Sequence, residues 1–174
     1  MNRVVGYIGL ALLLLPIGCR NVGLPRIAVE ETSPDGAHVA QVRNGPSIDP
    51  PNQSLWLADR DGAGATKLRQ LSEDQDWCNQ IVWSADGSTV AFLVQDARIA
   101  VYEARTRRER AWEWLVEHGG YPTVNEVREL ELSPDGSVAR YRICRRGTPQ
   151  CLETRGFQIP RAATLETQGP DNLR

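Results

Sequence analysis

The stretch SADGSTVA at residues 84–91 decides the fold, because two further copies of its pattern occur in the same chain. They are SPDGAHVA at residues 33–40 and SPDGSVAR at residues 133–140, so the pattern recurs about every 50 residues. Serine suits the first position of a type I turn, proline presets the second, and glycine accepts the positive φ that closes a bulged hairpin. Each copy therefore predicts a tight turn between two antiparallel strands.

Strand-like runs flank the three turns. Alternation of apolar and polar residues, with many β-branched and aromatic side chains, indicates short strands on both sides of each turn. Residues 108–117 also fit a short helix, and the strand is preferred because the repeat needs an outer strand there. The sequence thus predicts an all-β chain of three antiparallel four-stranded repeats. The predicted strands are residues 27–31, 38–43, 54–58 and 67–71, then 80–83, 90–94, 98–102 and 110–116, and finally 127–132, 138–144, 151–157 and 162–166.

The turns and their flanks resemble a known repeat family. WSADG at residues 83–87, followed by VAF at 90–92, is similar to the TolB-type β-propeller repeat. The same is true of DRDG at residues 59–62, which follows the strand LWL. The resemblance covers residues 26–157 and implies the blade-like sheets of a propeller. Propellers host scaffolds, binding proteins and enzymes alike, so the resemblance implies a fold and leaves the role open.

The number of repeats departs from that family, whose propellers have about six blades and need about four for ring closure. Three repeats imply a partial propeller: an open arc, a ring completed by association, or the remnant of a larger gene. Each outer repeat would leave a hydrophobic face that a lone unit does not bury. A ring of two chains is therefore the preferred hypothesis for assembly, with a partner protein or a monomeric arc as the alternatives.

The first residues predict export. Arg3 precedes an apolar run at residues 4–15, which is shorter than the ~18–20 residues of a membrane span. Gly18 followed by Cys19 resembles the lipobox of bacterial lipoproteins, although Pro16 stands where that family usually has leucine. Ordinary cleavage or a retained anchor are the alternatives. The resemblance implies an envelope lipoprotein, facing the periplasm or on the outer cell surface, with lipid attachment at Cys19. The predicted division of the chain is a signal peptide at 1–18, a linker at 19–25, a repeat domain at 26–166 and a polar tail at 167–174.

Composition argues against nucleic-acid binding and against catalysis. The net charge of −2 at pH 7 gives no electrostatic footprint for nucleic acid. His38 and His118, the only histidines, lie in different repeats, and no G-x-S-x-G motif, phosphate-binding loop or zinc-ligand spacing occurs. Asp59 and Asp61 begin like a calcium loop but lack the later oxygen ligands, so they are interpreted as a turn. No enzyme activity, cofactor or metal is expected.

Three cysteines follow Cys19 in the chain. Cys144 and Cys151 flank the predicted hairpin loop RRGTPQ, so we expect them to face each other and to form a disulfide in an oxidising compartment. In the alternative, both are free thiols that pack, like Cys78, as small apolar side chains.

Candidate binding residues fall on one face of the repeats, which we call the loop face. In a four-stranded up-and-down blade, the second-to-third loops and the blade-to-blade loops emerge together, opposite the Ser-x-Asp-Gly turns. Binding usually resides in loops on a rigid scaffold. The candidate ligand or partner residues on this face are Trp77, His118, Tyr121, Asp74 and Asp76.

The remaining candidates are aromatic and basic. Trp112 and Trp114 are two positions apart on a predicted outer strand, so they are candidate exposed aromatics for partner contact. In the alternative, they pack against the next repeat. Trp56 and Trp83 lie inside strands and are predicted core residues. The arginine-rich residues 105–110 are interpreted as a charged hairpin tip that keeps an edge strand from pairing with other chains.

These features favour a non-enzymatic envelope lipoprotein that binds or scaffolds an envelope protein, or a second copy of itself, through its loop face or a blade edge. The alternative is a periplasmic sensor that binds a small ligand or a cation at the loop face.

Overall fold

The protein is all-β over residues 26–45, 52–71, 77–116 and 124–161, which a computed structural model describes. No helix long and apolar enough to cross a membrane occurs among these residues. All strand pairs are antiparallel. The strands are β1 Arg26–Thr32, β2 His38–Asn44, β3 Gln53–Asp59, β4 Thr66–Gln70, β5 Cys78–Trp83, β6 Thr89–Val94, β7 Arg98–Glu103, β8 Glu109–Trp114, β9 Asn125–Leu132, β10 Val138–Arg145 and β11 Cys151–Gln158.

The strands form three sheets, one for each predicted repeat. Sheet 1 has the order β1-β2-β3-β4, sheet 2 the order β5-β6-β7-β8, and sheet 3 the order β9-β10-β11. The strand predicted at residues 110–116 is confirmed as β8. The fourth strand predicted at residues 162–166 lies outside the described residues. The first strands of successive sheets contact one another, and the described sheets do not close into a ring or a barrel.

The three Ser-x-Asp-Gly turns have one hydrogen-bond pattern. In the middle turn the Gly87 amide donates to the Ser84 carbonyl at 3.0 Å, and the Thr89 amide donates to Ser84 Oγ at 3.0 Å. Ser84 Oγ in turn donates to Asp86 Oδ1 at 2.6 Å, and the Ser88 amide donates to the same carboxylate oxygen at 2.9 Å. The other two turns repeat these bonds within about 0.2 Å, and their glycines also have positive φ. The predicted turn chemistry is therefore confirmed in all three repeats.

The third turn also touches the neighbouring repeat. The Asp86 amide donates to the Pro134 carbonyl at 3.1 Å, so the second and third turns are hydrogen-bonded to each other. Gly136 has a φ of 63° and is buried, and a Cβ added there would lie 2.5 Å from Thr89 Cβ. Glycine is needed at this position for its backbone conformation and for the close approach of two sheets.

Sheet 2 is the centre of the core because both its faces are covered. All six residues of β6 are buried. Val90, Phe92 and Val94 belong to the cluster shared with sheet 1, while Ala91 and Leu93 belong to the cluster shared with sheet 3. The alternation of β6 therefore serves two interfaces at once, as expected for a strand buried on both faces.

The open faces of the two outer sheets carry polar residues at positions where the middle repeat has buried apolar ones. Phe92 of the middle repeat corresponds to Gln41 in sheet 1, and Leu93 corresponds to Arg142 in sheet 3. Gln41 accepts hydrogen bonds from the Arg43 guanidinium, and that guanidinium stacks over the Trp56 ring at 4.3 Å. Polar outer faces are what terminal units of a repeat stack need in water.

The polar outer faces contradict two expectations from the sequence. The hydrophobic faces expected on the outer repeats are replaced by side chains such as Gln41, Arg43 and Arg142. The prediction that Trp56 is a core residue is wrong: it is half-buried on the open face of sheet 1, covered by Arg43, and its indole N–H donates to Ser54 Oγ at 2.8 Å. Strand periodicity assigns Trp56 to one face but does not say whether another sheet covers that face.

Acid should destabilise the fold through the three turn aspartates. Hydrogen bonds from Ser33, Ser84 and Ser133 are the largest cause that lowers the pKa of Asp35, Asp86 and Asp135 respectively from 3.8, to about 2 for Asp135. A folded pKa below the unfolded value means that the stabilisation is complete above the unfolded pKa and is lost as the pH falls through the folded pKa.

We therefore expect the free energy of unfolding to fall between about pH 4 and pH 2, measured by chemical denaturation across that range. Asp135→Asn should reduce the dependence on pH. An unchanged acid profile in that variant would contradict the assignment to the turn carboxylates.

A disulfide joins Cys144 and Cys151 across the β10–β11 hairpin, and Cys78 is a buried free thiol. Burial raises the pKa of Cys78 to about 12, so its reactive thiolate is scarce in the folded protein. Replacing both Cys144 and Cys151 with serine is expected to cost about 2–3 kcal/mol, because the unfolded chain loses a short closed loop. Denaturation curves of oxidised protein and of this variant test the cost, and peptide mass spectrometry without reduction tests the pairing. A crosslink through Cys78 would refute it.

Candidate binding face

The loop face is organised around the two-residue turn that joins β6 to β7. Gln95 and Asp96 have φ values of 57° and 52°, and the Ala97 amide donates to the Val94 carbonyl at 3.1 Å. Two positive φ values make this a type I′ geometry, for which asparagine and glycine are the usual residues. Non-glycine residues adopt this conformation at a cost of about 1–2 kcal/mol each. The surrounding structure must therefore hold the turn in place.

Hydrogen bonds to Trp77, Val127 and Arg146 hold the Gln95–Asp96 turn in place. The Gln95 amide donates to the Trp77 carbonyl at 2.8 Å, and the Arg146 guanidinium donates to the Gln95 carbonyl at 3.2 Å. The Val127 amide donates to the Asp96 carbonyl at 2.5 Å. Gln95 itself is buried. The turn thus connects sheet 2 with the first strand and the β10–β11 loop of sheet 3.

Beside this turn lies a polar cleft between sheets 2 and 3, with a volume of about 420 Å³. Its walls combine amide, carboxylate and guanidinium groups with the side chains of Leu93 and Val127. Such a mixture suits hydrogen bonding to a polar chain with apolar contacts between the hydrogen bonds. The cleft is lined by Asn79, Gln80, Leu93, Asp96, Glu126, Val127, Arg128 and Glu129.

The charges of the cleft are partly compensated. Arg146 lies 3.5 Å from Asp96 and 3.7 Å from Glu126, and Arg128 pairs with Glu126. Burial raises the pKa of Asp96 above its ordinary value of 3.8, and the hydrogen bond from Asn79 and the charge of Arg146 offset this only in part. The cleft is therefore a polar site without a strong excess of either charge.

Backbone strain is concentrated at this cleft. Four non-glycine residues have positive φ in the described part of the chain: Gln95, Asp96, Glu129 and Arg107. The first two form the turn, and Glu129 lies in the irregular stretch where the β9–β10 register shifts. A bulge re-aims its side chain, and Glu129 lines the cleft. Strained residues tend to cluster at functional sites, which marks this cleft as the candidate binding site.

Only part of the predicted loop-face set can be placed. Trp77 is half-buried on this face, where its carbonyl accepts the bond from Gln95. His118, Tyr121, Asp74 and Asp76 lie outside the described residues, as does Cys19. Sequence reasoning missed Asp96 and Glu129: glutamate does not signal a positive φ, and Asp96 follows a glutamine in a turn without asparagine or glycine.

Trp112 and Trp114 are half-buried in a ladder of alternating cations and rings. Arg98 lies 4.6 Å from the Trp112 ring and 3.8 Å from the Trp114 ring, and Arg69 of sheet 1 lies over Trp112 at 4.2 Å. Arg69 also pairs with Glu109. The ladder connects the outer strands of sheets 1 and 2. Cation–π contacts of this kind contribute about 0.5–2 kcal/mol each.

The basic run at residues 105–110 connects sheets instead of forming only a solvated tip. Arg107 donates to Asp59 Oδ1 at 3.1 Å in sheet 1, and Arg110 donates to the Pro160 carbonyl at 2.9 Å beside sheet 3. Sequence spacing gave no signal for these contacts. The interpretation as a charged tip is therefore wrong for Arg107 and Arg110, while Arg105 and Arg108 are exposed.

The described residues contain no group of histidine, cysteine or acidic side chains that could hold a metal ion. No family model matches the chain. A search of curated proteins likewise finds no similar sequence.

Proposed function

We propose that this chain is a non-enzymatic envelope lipoprotein whose propeller-like sheets bind another envelope protein at the loop face. The observation that carries this proposal is the polar cleft bordered by the strained residues Gln95, Asp96 and Glu129. A rigid three-sheet scaffold presents the cleft with its side chains already oriented, which reduces the entropy lost on binding. An extended polypeptide is the ligand that suits alternating hydrogen-bonding and apolar groups.

The blade-like reading of the fold supports the proposal. Three sheets with the same turn chemistry stand side by side, and their first strands are in contact. These features support the proposal of propeller-like blades, because the loops of blades are common binding sites on such scaffolds. Both outer faces are polar, so the loop face remains the best candidate for recognition of another protein.

Partner contact can be tested with a photo-crosslinking amino acid placed at Gln80 in the cleft, and at Asp61 on the opposite side as the matched control. We expect a discrete crosslinked protein from the Gln80 position in detergent-solubilised envelope and none from Asp61. Glu129→Gly should weaken capture about fivefold or more, because a side chain in the cleft is lost. It should not unfold the protein, since glycine adopts the positive φ without strain.

Equal crosslinking from Gln80 and Asp61 would contradict binding at the cleft. No crosslinked protein, together with a thermal shift on adding a small ligand or a cation, would instead support the sensor.

Membrane attachment through Cys19 is the second part of the proposal. The glycine before Cys19 and the short apolar run before it support acylation of that cysteine. Cys19→Ala should release the protein from the membrane fraction or leave an unprocessed precursor. Metabolic labelling with palmitate is the measurement, and unchanged labelling in the variant would refute attachment at this residue.

A further inference from the structure

The outer edge of sheet 3 differs from the outer edges of the third strands in the other two sheets. β3 pairs with β4 and β7 pairs with β8, but the corresponding edge of β11 carries no strand among the described residues. Residues 152–156 of β11 are all exposed, and Leu152 has 55% of its area open to solvent. An open strand edge is a template for pairing with another strand.

The side chains along this edge are complementary to their own reversed order. Glu153 and Arg155 flank Thr154, and they lie on the same face of the strand as an ion pair at 2.6 Å. If two copies of β11 pair antiparallel about a two-fold axis at Thr154, Glu153 of each copy lies opposite Arg155 of the other. Leu152 then lies opposite Gly156, which has no side chain to obstruct it.

We propose that β11 is a self-association edge, on which β11 of a second copy pairs antiparallel about a two-fold axis at Thr154. Two three-stranded sheets then form one continuous six-stranded sheet. Opposite charges in directly facing positions favour this register, whereas a shift by one residue loses both ion pairs. The interface is independent of the cleft proposed for partner binding, and it does not use the polar outer faces.

A second copy fits this edge better than it fits the outer faces of the sheets. Burial of the Arg43 or Arg142 guanidinium between two sheets would remove a charged group from water. Edge pairing leaves those side chains where they are, and it gives hydrogen-bond partners to backbone groups of β11 that pair with no strand among the described residues. Because one strand pair buries little area, the dimer should form in the micromolar range rather than more tightly.

Sedimentation of the chain from Asn21 onward, across micromolar concentrations, tests the proposal. We expect a monomer–dimer equilibrium that Arg155→Glu or Glu153→Arg weakens about tenfold or more, since each change creates two like-charge contacts. The double variant, with both charges exchanged, should restore dimerisation because the ion pairs are re-formed in reverse. Glu113→Arg on the outer strand of sheet 2 is the matched control and should leave the equilibrium unchanged.

Three outcomes overturn the proposal: a strictly monomeric protein, a dimer unaffected by the single changes, or single changes that the double variant does not rescue. A truncation after Arg161 tests whether residues 162–174 of the same chain occupy the edge instead of a second copy. If the chain dimerises only after residues 162–174 are removed, its own C-terminal segment covers the edge and the second copy does not. Denaturation curves show whether each variant is folded. Crosslinking from Gln80 is a separate readout, so either proposal can fail without the other.

Discussion

Replacing Gly136 with alanine is expected to lower the free energy of unfolding by about 2–5 kcal/mol. Two costs combine at this position. The φ of 63° disfavours any residue with a Cβ, and the new methyl group would overlap the side chain of Thr89. The overlap cannot be relieved by a flexible chain end, because Thr89 Cβ is fixed to the start of β6. Urea or guanidinium denaturation measures the loss.

Gly147→Ala is the matched control for this change. Gly147 has a φ of 72°, but nothing lies within 4 Å of the position that a Cβ would take. The control therefore measures the backbone cost alone, about 1–2 kcal/mol. Equal losses in the two variants would show that the approach of sheets 2 and 3 at Gly136 tolerates a methyl group, and it would contradict the packing described for the third turn.

Phe92→Ala is expected to cost about 3–5 kcal/mol, because it removes the largest side chain that β6 contributes between sheets 1 and 2. Phe92 is fully buried, and its ring meets the edge of Tyr102 with 6.0 Å between the centroids. The cavity left behind would be enclosed by two sheets, so the neighbours could fill it only in part. The same denaturation experiment measures this loss.

The control for Phe92 is the residue at the same position of the first repeat. Gln41→Ala removes hydrogen bonds to Glu30 and Arg43, whose charged groups can then be hydrated, so we expect a loss of only about 1 kcal/mol. A loss similar to that of Phe92→Ala would mean that the open face of sheet 1 is covered in solution. Sedimentation would then show whether a second copy of the chain covers that face.

Local chemistry explains why so much of the fold was predictable. The turn residues at 33–36, 84–87 and 133–136 carry their own hydrogen-bond partners, so their conformation depends little on the rest of the chain. The strands between them follow from alternation. Their predicted bounds agree with the structure within a few residues, and β8 is a strand as expected.

The contacts between sheets could not be predicted in this way. Alternation does not reveal that Trp56 lies half-buried on a sheet face that no other described sheet covers, while Phe92 faces another sheet, since both lie in similar strands. Arg107 and Arg110 are the same residue type as the exposed Arg105 and Arg108. Only the position of the adjacent sheets determines which of these arginines make contacts between sheets. The turn at Gln95 and Asp96 lacks the asparagine or glycine that marks a type I′ turn, because neighbouring segments impose its conformation.

The distribution of polar faces determines how such a chain can grow. The middle repeat has apolar residues on both sides of β6, so a second copy of it, inserted in series, would find a suitable neighbour in either direction. A duplicated first repeat would place Gln41 and Arg43 in an interior, and a duplicated third repeat would do the same with Arg142. Gene duplication or protein engineering can therefore lengthen this protein only from its centre, where each added unit preserves the two ends that face water.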